Sequence, residues 1–247
     1  MNYDEVMKKL EALASHDPKD LAGMARFGIN VDKAWVVSIP KLRTLTKEIL
    51  KSEDIKKHPA ARHELALELW ESGIHEARLL AGFIDEPKQV TLTQMEKWVS
   101  DFDSWDITDQ VCGNLFDHSR YAVQKAIEWS SRKEEFVKRS GFVLMCGLAV
   151  HDKQMTDDVF LQFLTIIKRE SGDDRNFVRK AVNWALRTIG KSRNKFLYDR
   201  AIETASEILE LSQNSTDWGT KERKAARWIA SDTMRELQKS YITKRFK

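Results

Sequence analysis

Trp105 and Asp109 are the two residues of this sequence whose types and spacing best suit chemistry. They lie four positions apart, within residues 104–109. If this segment begins a helix, the indole and the carboxylate project from one face, one turn apart. An aromatic face beside a carboxylate suits a cation, or a reaction centre that becomes cationic. The pair marks a candidate site, although the spacing alone does not identify the ligand.

The two aspartates of this segment have different expected roles. Asp109 borders an apolar stripe that includes Cys112 and Phe116, and a carboxylate there is unfavourable unless it is paired or functional. We therefore interpret Asp109 as a site residue, with a structural role as the alternative. Asp103 and Asp106 lie at helix-capping spacing, and negative charge suits a first helical turn. Asp106 is therefore expected to be structural.

Arg139 is a second candidate, because its helix is otherwise apolar or small in residues 140–150. It shares a stripe with Val143, Cys146 and Val150, which predicts that the guanidinium is at least partly desolvated. A buried guanidinium requires a carboxylate or a phosphate partner. A purely structural ion pair remains the alternative to a phosphate contact.

A basic stripe surrounds a tryptophan in the predicted helix near residues 175–190. At about 100° per residue the stripe lies opposite the apolar face of that helix. Its members are Lys180, Trp184, Arg187 and Lys191. Cations around an indole suit a nucleic-acid backbone, with the ring available for sugar or base contact. Packing between helices is the alternative for Trp184 and is the favoured interpretation for Trp129 and Trp228.

These residues are expected on helices, because the chain has only ten Gly and four Pro and no convincing period-2 strand. The periodicity predicts helices near 2–15, 39–52, 57–72, 74–85, 91–101, 105–116, 119–131, 133–150, 156–170, 175–190, 194–211 and 218–240. Residues 16–38 are the least regular part of the sequence.

The sequence also echoes itself at the length of a helix pair. Phe-Val-Lys-Arg at 136–139 resembles Phe-Val-Arg-Lys at 177–180, an offset of 41 residues, and Lys-Ala-x-x-Trp begins at Lys125, Lys180 and Lys224. HEAT-type repeats span roughly 40–47 residues. We therefore predict an all-α fold, a curved α-solenoid of HEAT-like antiparallel helix pairs with a concave basic face. One domain is expected over 1–247, with an irregular helical region at 1–38, repeats at 39–240 and a basic tail at 241–247.

The charge distribution indicates a polyanionic partner. The net charge is +3, but residues 175–247 contain 17 Lys and Arg against 8 Asp and Glu, a net of +9, and the remainder has a net of −6. A basic C-terminal third points to nucleic acid first. The alternative is that these residues merely solvate outer helix faces.

Several classes of protein are not indicated by the sequence. It contains no HExxH, CxxC or Walker A motif, so we expect no metal and no cofactor. His75, His118 and His151 lie near helix ends, where capping or surface positions are expected. Cys112 and Cys146 fit reduced core thiols. No 18-residue apolar run occurs, so a soluble, cytoplasmic protein with no membrane contact is expected.

Taken in order, these segments resemble a known family. Ser-Trp-Asp-Ile-Thr-Asp at 104–109, Phe-Val-Lys-Arg-Ser at 136–140 and Phe-Val-Arg-Lys-Ala-Val-Asn-Trp-Ala-Leu-Arg at 177–187 resemble the AlkD-type alkylpurine DNA glycosylases, which are built from HEAT-like repeats. Phe-Gly-Ile at 27–29 and Pro-Lys-Leu-Arg at 40–43 resemble the N-terminal pattern of that family. The resemblance extends from about residue 24 to beyond 190.

The resemblance implies roles for individual residues. Trp105 and Trp184 match the tryptophans that flank the lesion, Asp109 the catalytic aspartate, Arg139 the active-site arginine and Arg187 a backbone-contacting arginine. Further DNA contacts are expected from the basic residues Arg179, Lys180, Lys191 and Lys224. The family also uses an aromatic hydroxyl upstream of Gly-Ile, whereas no tyrosine occurs here between Tyr3 and Tyr121. Either Phe27 or no residue fills that place, which bears on fine specificity and rate.

The implied activity is hydrolysis of the N-glycosidic bond of positively charged N3- or N7-alkylated purines in double-stranded DNA, by a monomer that associates with the nucleoid when bound. The resemblance also implies that the enzyme acts on the sugar from outside, without extruding the base. Two alternatives stay open: a non-catalytic HEAT-repeat DNA-binding protein, and a protein–protein scaffold with an apolar groove.

Overall fold

The computed structural model describes residues 1–246, and their contacts divide the chain into two compact units. The first unit comprises Met1–Arg120 and the second begins at Tyr121. Every regular element of residues 1–246 is helical, which confirms the all-α prediction. The expected single domain over the whole chain stays a prediction.

The first unit is built around one buried helix. Its helices are α1 (Tyr3–Glu11), α2 (Pro18–Arg26), α3 (Ile39–Lys51), α4 (Glu53–Lys57), α5 (Pro59–Glu71), α6 (His75–Ile84), α7 (Leu92–Ser100) and α8 (Trp105–Asn114). All but one of the residues of α6 are buried, and this helix packs against α3, α5 and α8. Trp70 and Trp98 stack with ring centroids 4.1 Å apart in the core of this unit. The central position of α6 gives α8 a rigid support.

The second unit has a similar central helix. Its helices are α9 (Ala122–Trp129), α10 (Glu135–His151), α11 (Asp157–Arg169), α12 (Asn176–Ser192), α13 (Lys195–Asn214), α14 (Thr220–Leu237) and α15 (Ser240–Thr243). Helix α10 packs against α9 and α12, and α12 packs in turn against α13 and α14. A Cβ atom at Gly141 of α10 would lie 2.5 Å from the backbone nitrogen of Ser130. Glycine at this position therefore permits the close approach of α10 to the end of α9.

The predicted helices agree with the structure except in three segments. Residues 18–26, in the part read as least regular, form α2, and residues 53–57 form the short helix α4. Local capping explains α2, because the Asp17 side chain accepts from the backbone N–H of Lys19 and Pro18 occupies the first turn. None of the α2 residues is buried, so the helix lacks a strong apolar pattern. Residues 240–243 form α15, so the first three residues of the predicted basic tail are helical, and Lys247 lies outside the described residues.

The helices of the described residues are too short or too polar to span the hydrocarbon core of a lipid bilayer. None of them combines the length and the apolar character that a membrane crossing requires.

Candidate functional site

Helix α8 carries the first two candidate residues. Ser104 is extended and buried immediately before the helix, and its hydroxyl donates to Oδ1 of Asp106 at 2.9 Å. Trp105 begins the helix and Asp109 follows one turn later, and both are half-buried. The structure thus has the helical spacing on which the site prediction depended.

The indole of Trp105 is held by the backbone rather than by a side chain. Its Nε1–H donates to the carbonyl oxygen of Phe27 at 2.9 Å. Phe27 ends α2, its own ring is exposed (61%), and Gly28 follows with φ +76°. The sequence pointed only to the aromatic ring of Phe27. The carbonyl group of this residue is the part that contacts the candidate site.

A buried carboxylate holds the segment that follows Phe27. Glu76 is 1% exposed, and its two oxygens accept from the backbone N–H groups of Trp35 at 2.8 Å and Val37 at 3.2 Å. Val36, between them, has φ +57°, which is strained for a β-branched residue. The strain persists because the two flanking hydrogen bonds fix the backbone of residues 35–37.

Asp106 forms a structural pair with His75 of α6. Nε2 of His75 and Oδ2 of Asp106 are 2.9 Å apart. Burial works to lower the pKa of His75, but the hydrogen bond to Asp106 and the nearby carboxylate charges outweigh it and raise this pKa above its ordinary value. Burial likewise works to raise the pKa of Asp106, but the bonds from His75 and Ser104 outweigh it and lower this pKa. Asp106 is structural as expected.

The expectation of a capping or surface role was wrong for His75, which begins α6 but is only 6% exposed. Its partner Asp106 lies 31 residues away in the sequence, so no local pattern reveals the pair. His118 and His151 are exposed, as expected.

The rest of the polar side of α8 is also engaged within the first unit. Arg43 of α3 donates to Oδ1 of Asn114 at 2.5 Å and to Oε1 of Gln110 at 3.4 Å. The same guanidinium lies over the ring of Phe83, 3.7 Å from its centroid. Asp106, Gln110 and Asn114 therefore attach α8 to α3 and α6 and serve the fold.

The neighbouring stripe of α8 has a different character. It contains Trp105, Asp109 and Gly113, which succeed one another at intervals of four residues. A Cβ atom added at Gly113 would meet no heavy atom within 4 Å. The backbone beyond Asp109 is therefore open on this side. We call these three residues the α8 site stripe.

A separate cavity of about 560 Å³ opens in the first unit. Val36, His75, Glu76 and Asp106 are among the residues that line it, and neither Trp105 nor Asp109 belongs to the lining. The α8 site stripe is therefore distinct from this cavity.

Arg139 lies in the second unit, on α10, and is 6% exposed. One of its terminal nitrogens donates to the carbonyl oxygen of Phe177 on α12 at 2.6 Å. This confirms the predicted desolvation of the guanidinium. A carbonyl is one of its partners, and the expected contact with phosphate stays a prediction.

The predicted basic stripe lies on α12 with the expected exposure. The apolar residues of this helix, Val178, Ala181, Val182, Ala185 and Ile189, are completely buried. Lys180 is exposed, and Trp184, Arg187 and Lys191 are half-buried. Arg187 forms an ion pair with Asp232 of α14 at 3.4 Å. The Arg187 side chain thus extends from α12 to α14.

The three tryptophans of the Lys-Ala-x-x-Trp segments have different environments. Trp129 is completely buried, which confirms that it is a packing residue. Trp184 is half-buried. The packing interpretation was wrong for Trp228, which is 36% exposed on α14 beside the exposed Lys224. The Arg179 guanidinium lies over the Trp228 ring, 4.9 Å from its centroid, so two predicted DNA-contacting cations flank this indole.

Comparisons with known proteins agree with this architecture. The family model described as "DNA alkylation repair enzyme" matches residues 6–237. No curated protein matches the chain. A solved structure matches with a TM-score of 0.70 and 22% identity over 84% of this chain and 83% of that chain. It is described as "a new family of proteins related to the HEAT-like repeat DNA glycosylases with affinity for branched DNA structures". This likeness confirms the predicted HEAT-like repeat fold.

Proposed function

Because the chain belongs to the DNA alkylation repair enzyme family, we propose that it is a glycosylase that releases cationic N3- or N7-alkylated purines from double-stranded DNA. The α8 site stripe is the main structural support for this proposal. It offers an indole, a carboxylate and an open backbone in succession along one side of α8.

The chemistry matches the groups on the stripe. An alkylated purine is positively charged and already a good leaving group, and cleavage of its glycosidic bond builds oxocarbenium character on the deoxyribose. In the proposal the Asp109 carboxylate stabilises that charge and orients the attacking water. Trp105 contacts the cationic nucleotide or its sugar through its ring. The hydrogen bond from the indole to the Phe27 carbonyl fixes the ring for that contact.

Residues of the second unit supply further contacts in this proposal. Trp184 contacts the DNA, and Arg139 and Arg187 bind phosphates. Arg179, Lys180, Lys191 and Lys224 add charge that attracts the duplex. The enzyme acts on the sugar from outside, without extruding the base. A structure with alkylated duplex DNA that shows the lesion buried in a protein cavity would contradict this last part.

A second candidate function is binding of branched DNA without base release. Two observations favour it: the structural neighbour is described as having affinity for branched DNA structures, and no tyrosine occurs between Tyr3 and Tyr121. The aromatic hydroxyl that the resembled family uses upstream of Gly-Ile therefore has no counterpart in that part of the sequence. The same basic residues would then serve binding alone.

One experiment separates these functions. The protein is incubated with a duplex containing a single 7-methylguanine, with the unmodified duplex, and with a four-way junction. Free 7-methylguanine is quantified by mass spectrometry against the spontaneous loss without protein, and affinities are measured by fluorescence anisotropy. Release above the spontaneous rate supports the glycosylase. Preferential binding of the junction without release supports the second candidate, and absence of any binding contradicts both and favours a protein scaffold.

A further inference from the structure

Helix α14 presents an exposed face of which the proposed glycosylase uses only Lys224. Lys221, Lys224, Trp228, Ser231 and Arg235 follow one another at intervals of three or four residues and are all exposed. Arg227 is exposed beside them. The opposite side of the helix, which includes Ala225, Ala226, Ile229, Ala230 and Thr233, is buried. We call Lys221, Lys224, Arg227 and Trp228 the α14 basic face.

In the described part of the chain, the cations of this face are not paired with carboxylates. No described residue has a carboxylate oxygen within 4 Å of the charged nitrogens of Lys221, Lys224 or Arg227. The nearby Asp232 is already engaged by Arg187 and Arg235. Three cations on the first turns of one helix therefore form a positive surface.

Trp228 contacts a neighbouring guanidinium and stays partly exposed on this surface. The Arg179 guanidinium lies over its ring, 4.9 Å from the centroid, while 36% of the residue stays exposed. The exposed neighbours one turn away are polar, namely Lys224 and Ser231. Protein-binding interfaces are depleted of Lys, whereas Lys221 and Lys224 are both exposed on this face. A flat aromatic surface among cations instead matches the stacking platforms of single-strand-binding proteins.

We propose that the α14 basic face binds unpaired nucleotides, with Trp228 stacking on a base and Lys221, Lys224 and Arg227 contacting the adjoining phosphates. Bases inside a duplex have both faces covered by their neighbours, so an indole gains stacking only from an unpaired base. The inference rests on the proposed function to the extent that the ligand is nucleic acid. It adds a preference for duplexes that carry a single-stranded segment.

Three fluorescein-labelled DNAs test this inference: a blunt duplex, the same duplex with an oligo-dT arm, and the free oligo-dT. Fluorescence anisotropy at one fixed salt concentration gives the dissociation constant for wild type, Trp228→Ala and Trp228→Phe. Phe196→Ala is the matched control, because Phe196 is an exposed aromatic residue on α13 whose neighbour Lys195 is paired with Asp199.

We expect Trp228→Ala to weaken binding of the two DNAs with unpaired nucleotides about 5- to 100-fold, the range of one lost base–aromatic stack. Binding of the blunt duplex should weaken by no more than about twofold, and Trp228→Phe should retain most of the affinity, because a phenyl ring still stacks. Melting temperatures of the variants identify any loss of folding.

Two results would overturn the inference: equal weakening on the blunt and armed duplexes, or an effect of Trp228→Ala no larger than that of Phe196→Ala. If Trp228→Ala does not fold, Trp228→Phe and Lys221→Ala are compared on the same DNAs. Weakening of the armed duplex but not of the blunt duplex by Lys221→Ala supports the assignment, and equal weakening of both overturns it. The proposed function fails on a different readout, the absence of base release by wild type, so the two failures are distinguishable.

Discussion

Gly113 gives a sharp test of whether the α8 site stripe contacts a ligand. It is the penultimate residue of α8, and it is not among the residues with positive φ, which are Gly28, Gly73 and Val36. A Cβ atom there would meet nothing within 4 Å. Neither backbone conformation nor crowding within the first unit therefore requires glycine. We infer that the open surface serves the ligand, because a glycine inside a helix is otherwise unfavourable.

The substitution Gly113→Ala should have opposite effects on stability and activity. Alanine replaces glycine in a helix with a gain of about 0.5–1 kcal/mol in the free energy of unfolding, and no clash offsets it. For a chain of this length that gain corresponds to a melting temperature about 1–2 °C higher. The new methyl group lies one turn from Asp109, about 5–6 Å between Cβ atoms. A ligand displaced by about 1 Å can react about 100-fold more slowly.

The assay combines urea unfolding with single-turnover release of 7-methylguanine from duplex DNA. Gly23→Ala is the matched control, because Gly23 lies inside α2 and a Cβ atom there also meets nothing within 4 Å. We expect both variants to gain stability and only Gly113→Ala to slow base release. If Gly113→Ala gains stability and releases the base at the wild-type rate, the open surface beside Asp109 is not used and the reasoning fails.

Two further predictions concern the structure that supports α8. Asp106→Asn should reduce the free energy of unfolding by about 1–3 kcal/mol, because it removes the charged partner of the buried His75. The pKa of His75 is raised, so the stabilisation by the pair is lost as pH rises above about 6.5. The pKa of Asp106 is lowered, so the stabilisation is also lost as pH falls below about 3.8. Urea unfolding from pH 4 to 9 should therefore show the largest stability difference between wild type and Asp106→Asn between pH 4 and 6.5, and a difference that grows above pH 7 would contradict the pairing. We expect the Val36→Gly variant to have a free energy of unfolding about 1 kcal/mol higher than that of Val36→Ala, because alanine is also strained at φ +57°. Chemical denaturation of the two variants measures this difference. Equal stabilities would show that Glu76 does not enforce the strained backbone.

The sequence predicted the elements of this fold well, because helix signals are local. The twelve helices expected from periodicity all occur, and the apolar and basic sides of α12 have the burial inferred from its helical wheel. Helix α2 was missed because it has no buried residue and therefore little periodic signal. Its start at Asp17–Pro18 was the available cue.

Whether other helices bury a given side chain could not be predicted in the same way. Trp129 and Trp228 occupy the same place in identical Lys-Ala-x-x-Trp segments, yet one is completely buried and the other is 36% exposed. The local pattern sets the face of the helix on which an indole lies, and the packing of other helices decides whether that face is covered. The His75–Asp106 pair and the bond from Trp105 to the Phe27 carbonyl are also long-range contacts without a local signature.

We propose Asp109 as the catalytic carboxylate, and the kinetics of two aspartate variants test this role. Single-turnover release of 7-methylguanine from duplex DNA is measured for wild type, Asp109→Asn and Asp103→Asn, together with the DNA affinity of each protein. Asp103 is the matched control, an exposed carboxylate just before α8 that accepts from Asn30 at 2.7 Å. We expect Asp109→Asn to slow release about 100- to 1,000-fold with DNA affinity within about threefold of wild type, and Asp103→Asn to stay near the wild-type rate. Release by Asp109→Asn at the wild-type rate would contradict the account.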